Sequence, residues 1–156
     1  MIKPTRQKEH KWLEKLVGEW TTGAEAIAMN DQPATSHSGT ESVRSLDGIW
    51  FIGEGSGDMG PTVITLGFDP DKKKYVGTFI GSMMTYMWVY EGELDAEEKV
   101  LTLDTVGPNF SGDGSIVPYK DSIEFISNDH RVLTSRTQGT DGQWTEFMRM
   151  DFHRVK

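Results

Sequence analysis

The chain changes its hydrophobic rhythm once, near residue 18. Between residues 6 and 17 the apolar positions Trp12, Leu13, Leu16 and Val17 recur at helical spacing, with Lys8 and Glu9 on the polar side. Thr5 is placed to cap this helix and Gly18 to stop it, because glycine adopts the left-handed backbone of a helix end at little cost. From Glu19 onward the apolar residues fall into short runs. These predict strands at about 19–29, 38–46, 49–56, 62–68, 74–81, 84–93, 99–106, 117–127, 131–138 and 143–154. Asp47-Gly48, Asp69-Pro70, Asp95-Ala96-Glu97-Glu98, Asn128-Asp129 and Asp141-Gly142 supply the turn chemistry between them. The segments 30–37 and 107–115 are the two substantial loops.

Short turns make neighbouring strands antiparallel hairpins. A meander of about ten strands is long for an open sheet and tends to curl and close, and closure removes the sticky edges. The expected fold class is therefore all-β: an antiparallel up-and-down β-barrel of about ten strands, with the short N-terminal helix plugging one end. No linker or internal repeat divides residues 1–156, which predicts a single domain.

Composition narrows the functional classes. A net charge of −8 argues against a phosphate-backbone partner, so nucleic acid is not expected. The chain has no cysteine, which excludes disulfides, thiolate metal sites and a Cys nucleophile. The first sixteen residues are charged throughout, unlike a signal peptide. No apolar run reaches the ~20 residues of a membrane helix. The expectation is a cytoplasmic protein without a membrane partner.

Helix, Gly18-Glu19-Trp20, all-β meander and a terminal Arg154 together resemble lipocalin-like (calycin) barrels. That resemblance implies structural roles for Gly18, Trp20 and Arg154: the helix plugs one end, the tryptophan packs across the floor, and the arginine stacks on it. A closer resemblance runs along nearly the whole chain. "QKEHKWLEKLVGEW" (7–20), "GTESVRSLDGIW" (39–50), "TLGFDPDKKKYVGTFIGSMM" (65–84), "WVYEGELD" (88–95), "LTLDTVGP" (101–108), "DHRVLTSR" (129–136) and "DGQWTEFM" (141–148) are similar, in order and spacing, to the bacterial domain-of-unknown-function 1579 family. That family implies a small lipocalin-like domain and brings no established activity.

Several residues are candidates for chemistry. His10, beside Glu9 and one turn before Glu14, could act as a general base, or simply hold the plugging helix in place. His37, His130 and His153 fall in different strands or turns, and no pair has the spacing of a metal site, so no metal is expected. Nitrobindins, a related calycin group, hold haem through a histidine on the last strand. Here the only histidine of that strand is His153, next to Arg154 near the barrel end, and no histidine stands at 147–149. Haem is therefore disfavoured, and no cofactor is expected.

Glu41, Arg44 and Glu54 form the main polar trio. If Asp47-Gly48 is a two-residue hairpin turn, Ser45 faces Trp50, Val43 faces Ile52 and Glu41 faces Glu54. Two opposed carboxylates inside a barrel would share a proton, which is the physics of an acid–base pair. Arg44 falls on the opposite face in that register. A one-residue slip would exchange the faces. In "GTFIGSMMTYMWVYEG" (77–92), Met84, Tyr86, Trp88 and Tyr90 share one strand face suited to a lipophilic pocket.

"GSGDMG" (55–60) matches G-x-G-x-x-G in letters, but Pro61 and a strand follow it where a phosphate site needs a helix N-terminus. Ser111 and Ser115 lie in a Gly-rich loop without a histidine at a telling distance.

Three functional classes follow. The first is a binding or carrier protein that holds a small, mostly apolar molecule against Arg44, Trp50, Glu54, Met84, Tyr86 and Trp88. The second is an enzyme using Glu41 and Glu54, with His10 as a further candidate. The third is an interaction module that forms a homodimer through its outer surface. The first is preferred over the second, with the enzyme reading left open.

Overall fold

One short helix and ten strands make up the computed structural model, which describes residues 2–26 and 34–156. The helix α1 (Lys8–Glu14) precedes β1 (Gly18–Ala26), β2 (Thr35–Leu46), β3 (Trp50–Gly57), β4 (Thr62–Asp69) and β5 (Lys74–Gly81). Then come β6 (Trp88–Leu94), β7 (Val100–Pro108), β8 (Ile116–Ser127), β9 (His130–Gln138) and β10 (Trp144–Arg154). Every strand pairs antiparallel with its neighbours in sequence, and β1 also pairs with β10. The sheet is a closed barrel.

Several boundaries differ from the sequence reading. The helix is capped by Gln7 rather than by Thr5, the Gln7 backbone N–H donating to His10 Nδ1 at 2.9 Å. Its last turn tightens: the Leu16 and Val17 amides reach back only three residues, to Leu13 and Glu14. The sixth strand starts at Trp88 instead of 84, since the preceding segment folds so that Trp88 Nε1 meets Met84 Sδ at 2.9 Å. Residues 35–37, read as loop, belong to β2. The predicted end of the first strand, 27–29, and loop residues 30–33 lie outside the described residues.

The α1 end of the barrel is solid. Trp12, Leu13, Leu16, Trp20, Val43, Phe51, Leu66, Tyr75, Leu101, Leu103, Ile123 and Phe152 form one buried cluster there. Trp12 meets Tyr75 and Phe125 edge-on, and its Nε1 donates to the Glu98 carbonyl at 2.7 Å. Burying side chains of this size stabilises by about 1.5–3 kcal/mol each, which is why seven residues of helix can stay folded where an isolated helix of that length could not.

The joint between plug and barrel is built around Trp20. Its indole is fully buried and donates to the Leu16 carbonyl at 2.8 Å. Arg154 is its direct partner across the β1–β10 seam, with the guanidinium carbon 4.2 Å from the ring centre. The same guanidinium donates to the Val17 and Lys15 carbonyls at 2.7 and 2.9 Å, satisfying the chain end of the helix. Gly18, at φ 138°, lets the backbone turn there, and a Cβ on it would sit 2.5 Å from Arg154 Nη1. The sequence of this junction thus serves the closure of one barrel end.

Candidate functional site

Beyond that core the barrel is hollow. A cavity of about 420 Å³ runs from Leu16 toward the opposite end, where Met59, Met83, Met84 and Phe110 stand partly exposed at the rim. The strands make this space by placing small residues inward, among them Thr22 and Ala24 on β1, Gly55 on β3, Thr62 on β4 and Thr105 on β7. A bulge in β10 between Glu146 and Met148 brings both Phe147 and Met148 to the wall. Most of the surface is apolar, and besides the His37–Asp58 contact its charged groups are Glu41 with Arg131 and, separately, Asp121.

The deeper polar group is an ion pair. Glu41 on β2 points inward and accepts from Arg131 Nη2 on β9 at 2.6 Å, with side-chain exposures of 12% and 5%. The Arg131 guanidinium lies 3.7 Å from the Phe152 ring centre and 4.7 Å from that of Trp20. Among the described residues its Nε has no hydrogen-bond partner, and the aromatic faces partly offset that loss. Burial lowers the Arg131 pKa from its usual value, and Glu41 opposes the shift. Space for the carboxylate comes from Gly53 on β3, where a Cβ would sit 3.1 Å from Glu41 Cδ and 2.8 Å from Ile64.

The second polar group is Asp121 on β8. Its carboxylate accepts from the Tyr90 hydroxyl at 2.5 Å and is hydrogen-bonded with Ser135 on β9. Burial raises the Asp121 carboxyl above the usual carboxylate range, the two hydrogen bonds opposing it. Tyr90 is pushed well above the ordinary phenol value, first by burial and then by the neighbouring Asp121 charge, so it remains a donor at neutral pH.

The sequence-derived candidates scatter. Glu41 lines the cavity, but Glu54 does not face it. The β2–β3 register pairs Leu46 with Trp50 and Glu41 with Gly55, so Ile49 is one residue more than a two-residue Asp47-Gly48 turn requires. This slip turns Glu54 outward, where it meets the exposed Arg44 at 3.4 Å, and the proposed acid–base pair is not assembled. Trp50 also lies outside, its ring over Gly67. Met84 and Trp88 line the cavity. Tyr86 does not; its hydroxyl donates to the Val106 carbonyl at 2.8 Å and its ring packs on Trp88.

His10 is buried between the helix and Phe68, away from the cavity. Burial lowers its pKa against the opposing effects of Glu9 and the Phe68 backbone. On β10 the inward positions near the α1 end are Met150 and Phe152, whereas His153 is exposed on the outer face and stacks on His130. It is not positioned to ligate haem inside the barrel.

Arg131, Asp121, Tyr119 and Ser135 were missed as wall residues. The Tyr119, Asp121, Ile123 alternation places Asp121 in phase with two apolar positions, which is the one signal that could have exposed it.

The described family "Protein of unknown function (DUF1579)" matches residues 5–154. The chain belongs to that family. No curated protein sequence matches it. Among solved structures, it resembles Rv2717c from M. tuberculosis, with a TM-score of 0.63 at 11% identity, covering 97% of this chain and 100% of that one. It also resembles the S-type phycobiliprotein lyase CPES from Guillardia theta, with a TM-score of 0.55 at 15% identity over 98% and 99% of the two chains. A protein of unknown function from the DUF3598 family of Nostoc punctiforme gives 0.51 at 16% identity, covering 92% of this chain and 49% of that one. This chain spans about half the length of that last relative. At such identities the likeness is one of fold, a lipocalin-like barrel.

Proposed function

We propose that this protein binds and carries a small, mostly apolar molecule inside the barrel. The observation that supports this reading most is the cavity of about 420 Å³ with its apolar wall and sparse polar groups, the usual make-up of a small-molecule site. Trp88, Phe79, Met148 and Met150 offer the apolar contacts. The polar groups favour a ligand carrying one neutral hydrogen-bonding group, such as a hydroxyl or amide. Glu41 pairs with Arg131, the one Lys or Arg among the described lining residues, so a carboxylate ligand would meet Asp121 with that cation already engaged. Acid–base catalysis by Glu41 and Glu54 has no support, because the two lie on opposite sides of the wall.

Native mass spectrometry of freshly purified protein tests for a retained ligand and reports the oligomeric state as well. Titration with 1-aminoanthracene, a neutral apolar fluorophore, measures the cavity directly. Saturable one-to-one binding is expected, displaced by dodecanol more readily than by laurate. Filling the cavity with Ala24→Phe should weaken it at least tenfold. Absence of both a retained mass and saturable binding would refute the reading.

A further inference from the structure

On the outer wall near the α1 end, three potential ligands converge from two strands. His130 on β9 and His153 on β10 are direct cross-strand partners. Asp151 precedes His153 by two residues and therefore shares its face, since successive side chains alternate along a strand. His130 Nε2 lies 2.7 Å from Asp151 Oδ1, and the two imidazoles stack with centroids 4.3 Å apart. One ligand atom from each residue lies within 4.8 Å of the other two. This is the one such group of three among the described residues.

We propose that His130, Asp151 and His153 form a binding site for a divalent transition metal of the zinc class. Two imidazoles and one carboxylate are a donor set that such ions favour, with a fourth position left for water. Around Zn²⁺ the donor atoms would stand about 3.3 Å apart, given bonds of about 2.0–2.2 Å. Side-chain rotation alone can draw in atoms that start within 4.8 Å of one another, because the paired strands already hold the three Cα positions. The ion would replace the His130–Asp151 hydrogen bond.

The surroundings fit this role. Arg149 donates to Asp151 through Nε at 3.2 Å and Nη2 at 3.3 Å, which leaves it able to orient the carboxylate as outer hydrogen-bond partners of metal ligands do. The nearby Asp129 is engaged by Arg154 and Lys156 and does not compete for the histidines. The side chains of His130 and Asp151 are 27% and 32% exposed, enough for an ion to reach them from solvent. Sequence spacing conceals the site because its members come from positions 130, 151 and 153 and meet only through the β9–β10 register.

The test is calorimetric titration of untagged full-length protein with Zn²⁺ at pH 7.5, together with the visible spectrum of the Co²⁺ form. One ion per chain is expected, with tetrahedral Co²⁺ bands. His153→Ala, at an exposed position, should keep the metal-free melting temperature while lowering Zn²⁺ affinity at least tenfold and abolishing those bands. His130→Ala should lower the affinity similarly. No saturable binding by the parent protein, or unchanged affinity in both variants, would overturn the proposal.

Discussion

The two halves of the barrel are built on opposite principles. Toward α1, inward positions carry Trp20, Phe51, Leu101 and Phe152, and the interior is filled. Toward the other end they carry Ala24, Gly55, Thr62 and Thr105, and the same strands enclose a cavity. Filling supplies stability through packing at close to crystal density, whereas an unfilled interior gives up those contacts and gains room for a guest. The Glu41–Arg131 pair lies where the two halves meet, lining the cavity while its guanidinium packs on Trp20 and Phe152 of the core.

Breaking that boundary should have the largest effect. Glu41→Ala leaves Arg131 as an uncompensated buried charge and should cost about 3–5 kcal/mol in urea unfolding. Replacing both partners, Glu41→Leu with Arg131→Met, should recover most of the loss. Recovery by less than half would indicate that the pair holds geometry and not merely charge balance.

The packing contrast predicts a slightly smaller effect. Leu101→Ala in the filled half should destabilise by about 2–5 kcal/mol. Met59→Ala at the rim should cost less than about 0.5 kcal/mol. Comparable losses from the two would erase the distinction between the halves.

Arg154→Ala removes two charge-assisted bonds to the helix-end carbonyls together with the stack on Trp20. A loss of about 2–3 kcal/mol is expected, with hydrogen exchange rising first in α1. Uniform exchange through the barrel would argue against a local latch.

The smallest effects are in pH dependence, and the halves should differ in sign. His10, in the filled half, has a lowered pKa. Its unfolded form takes up a proton first, so its contribution is present above about 6.5 and is lost as pH falls through the folded value. Asp121, in the hollow half, has a raised pKa. The folded form holds its proton longer, so its contribution is present below about 3.9 and is lost as pH rises through the folded value. Unfolding curves of His10→Gln and Asp121→Asn against pH should each lose the corresponding slope.

Legibility in the sequence follows the same division. Where the interior is filled, the inward residues are the hydrophobic ones, and alternation reveals the face. The plug, the strand series and closure were readable for that reason. In β3 the relation reverses: Gly53 and Gly55 point inward while Trp50 and Ile52 lie on the opposite face. Hydrophobicity therefore indicated the wrong face, and the extra residue Ile49 has no marker beside Asp47-Gly48. That single displacement sent Trp50 and Glu54 out of the candidate site, while Arg44 lies outward as the two-residue turn also had it.

The ion pair was hidden for another reason. Glu41 and Arg131 are 90 residues apart, and only the closed circumference brings them together. In "HRVLTSR" two alternating sets, Arg131–Leu133–Ser135 and Val132–Thr134–Arg136, look equally plausible as an inner face. Pairing with β8 and β10 decides between them.

The β1–β10 seam also imposes an order on assembly. Nine of the ten strand junctions join consecutive strands, while this one joins Trp20 to Arg154. During synthesis the nine can zip as each hairpin leaves the ribosome, but the wall cannot close until residue 154 arrives. Until then Trp20 lacks the guanidinium that covers it and α1 lacks the cation that caps it. Loop-closure entropy makes such a distant contact slow to form. Until β10 emerges the wall is an open, curved sheet, and pairing of β10 with β1 converts that sheet into a vessel.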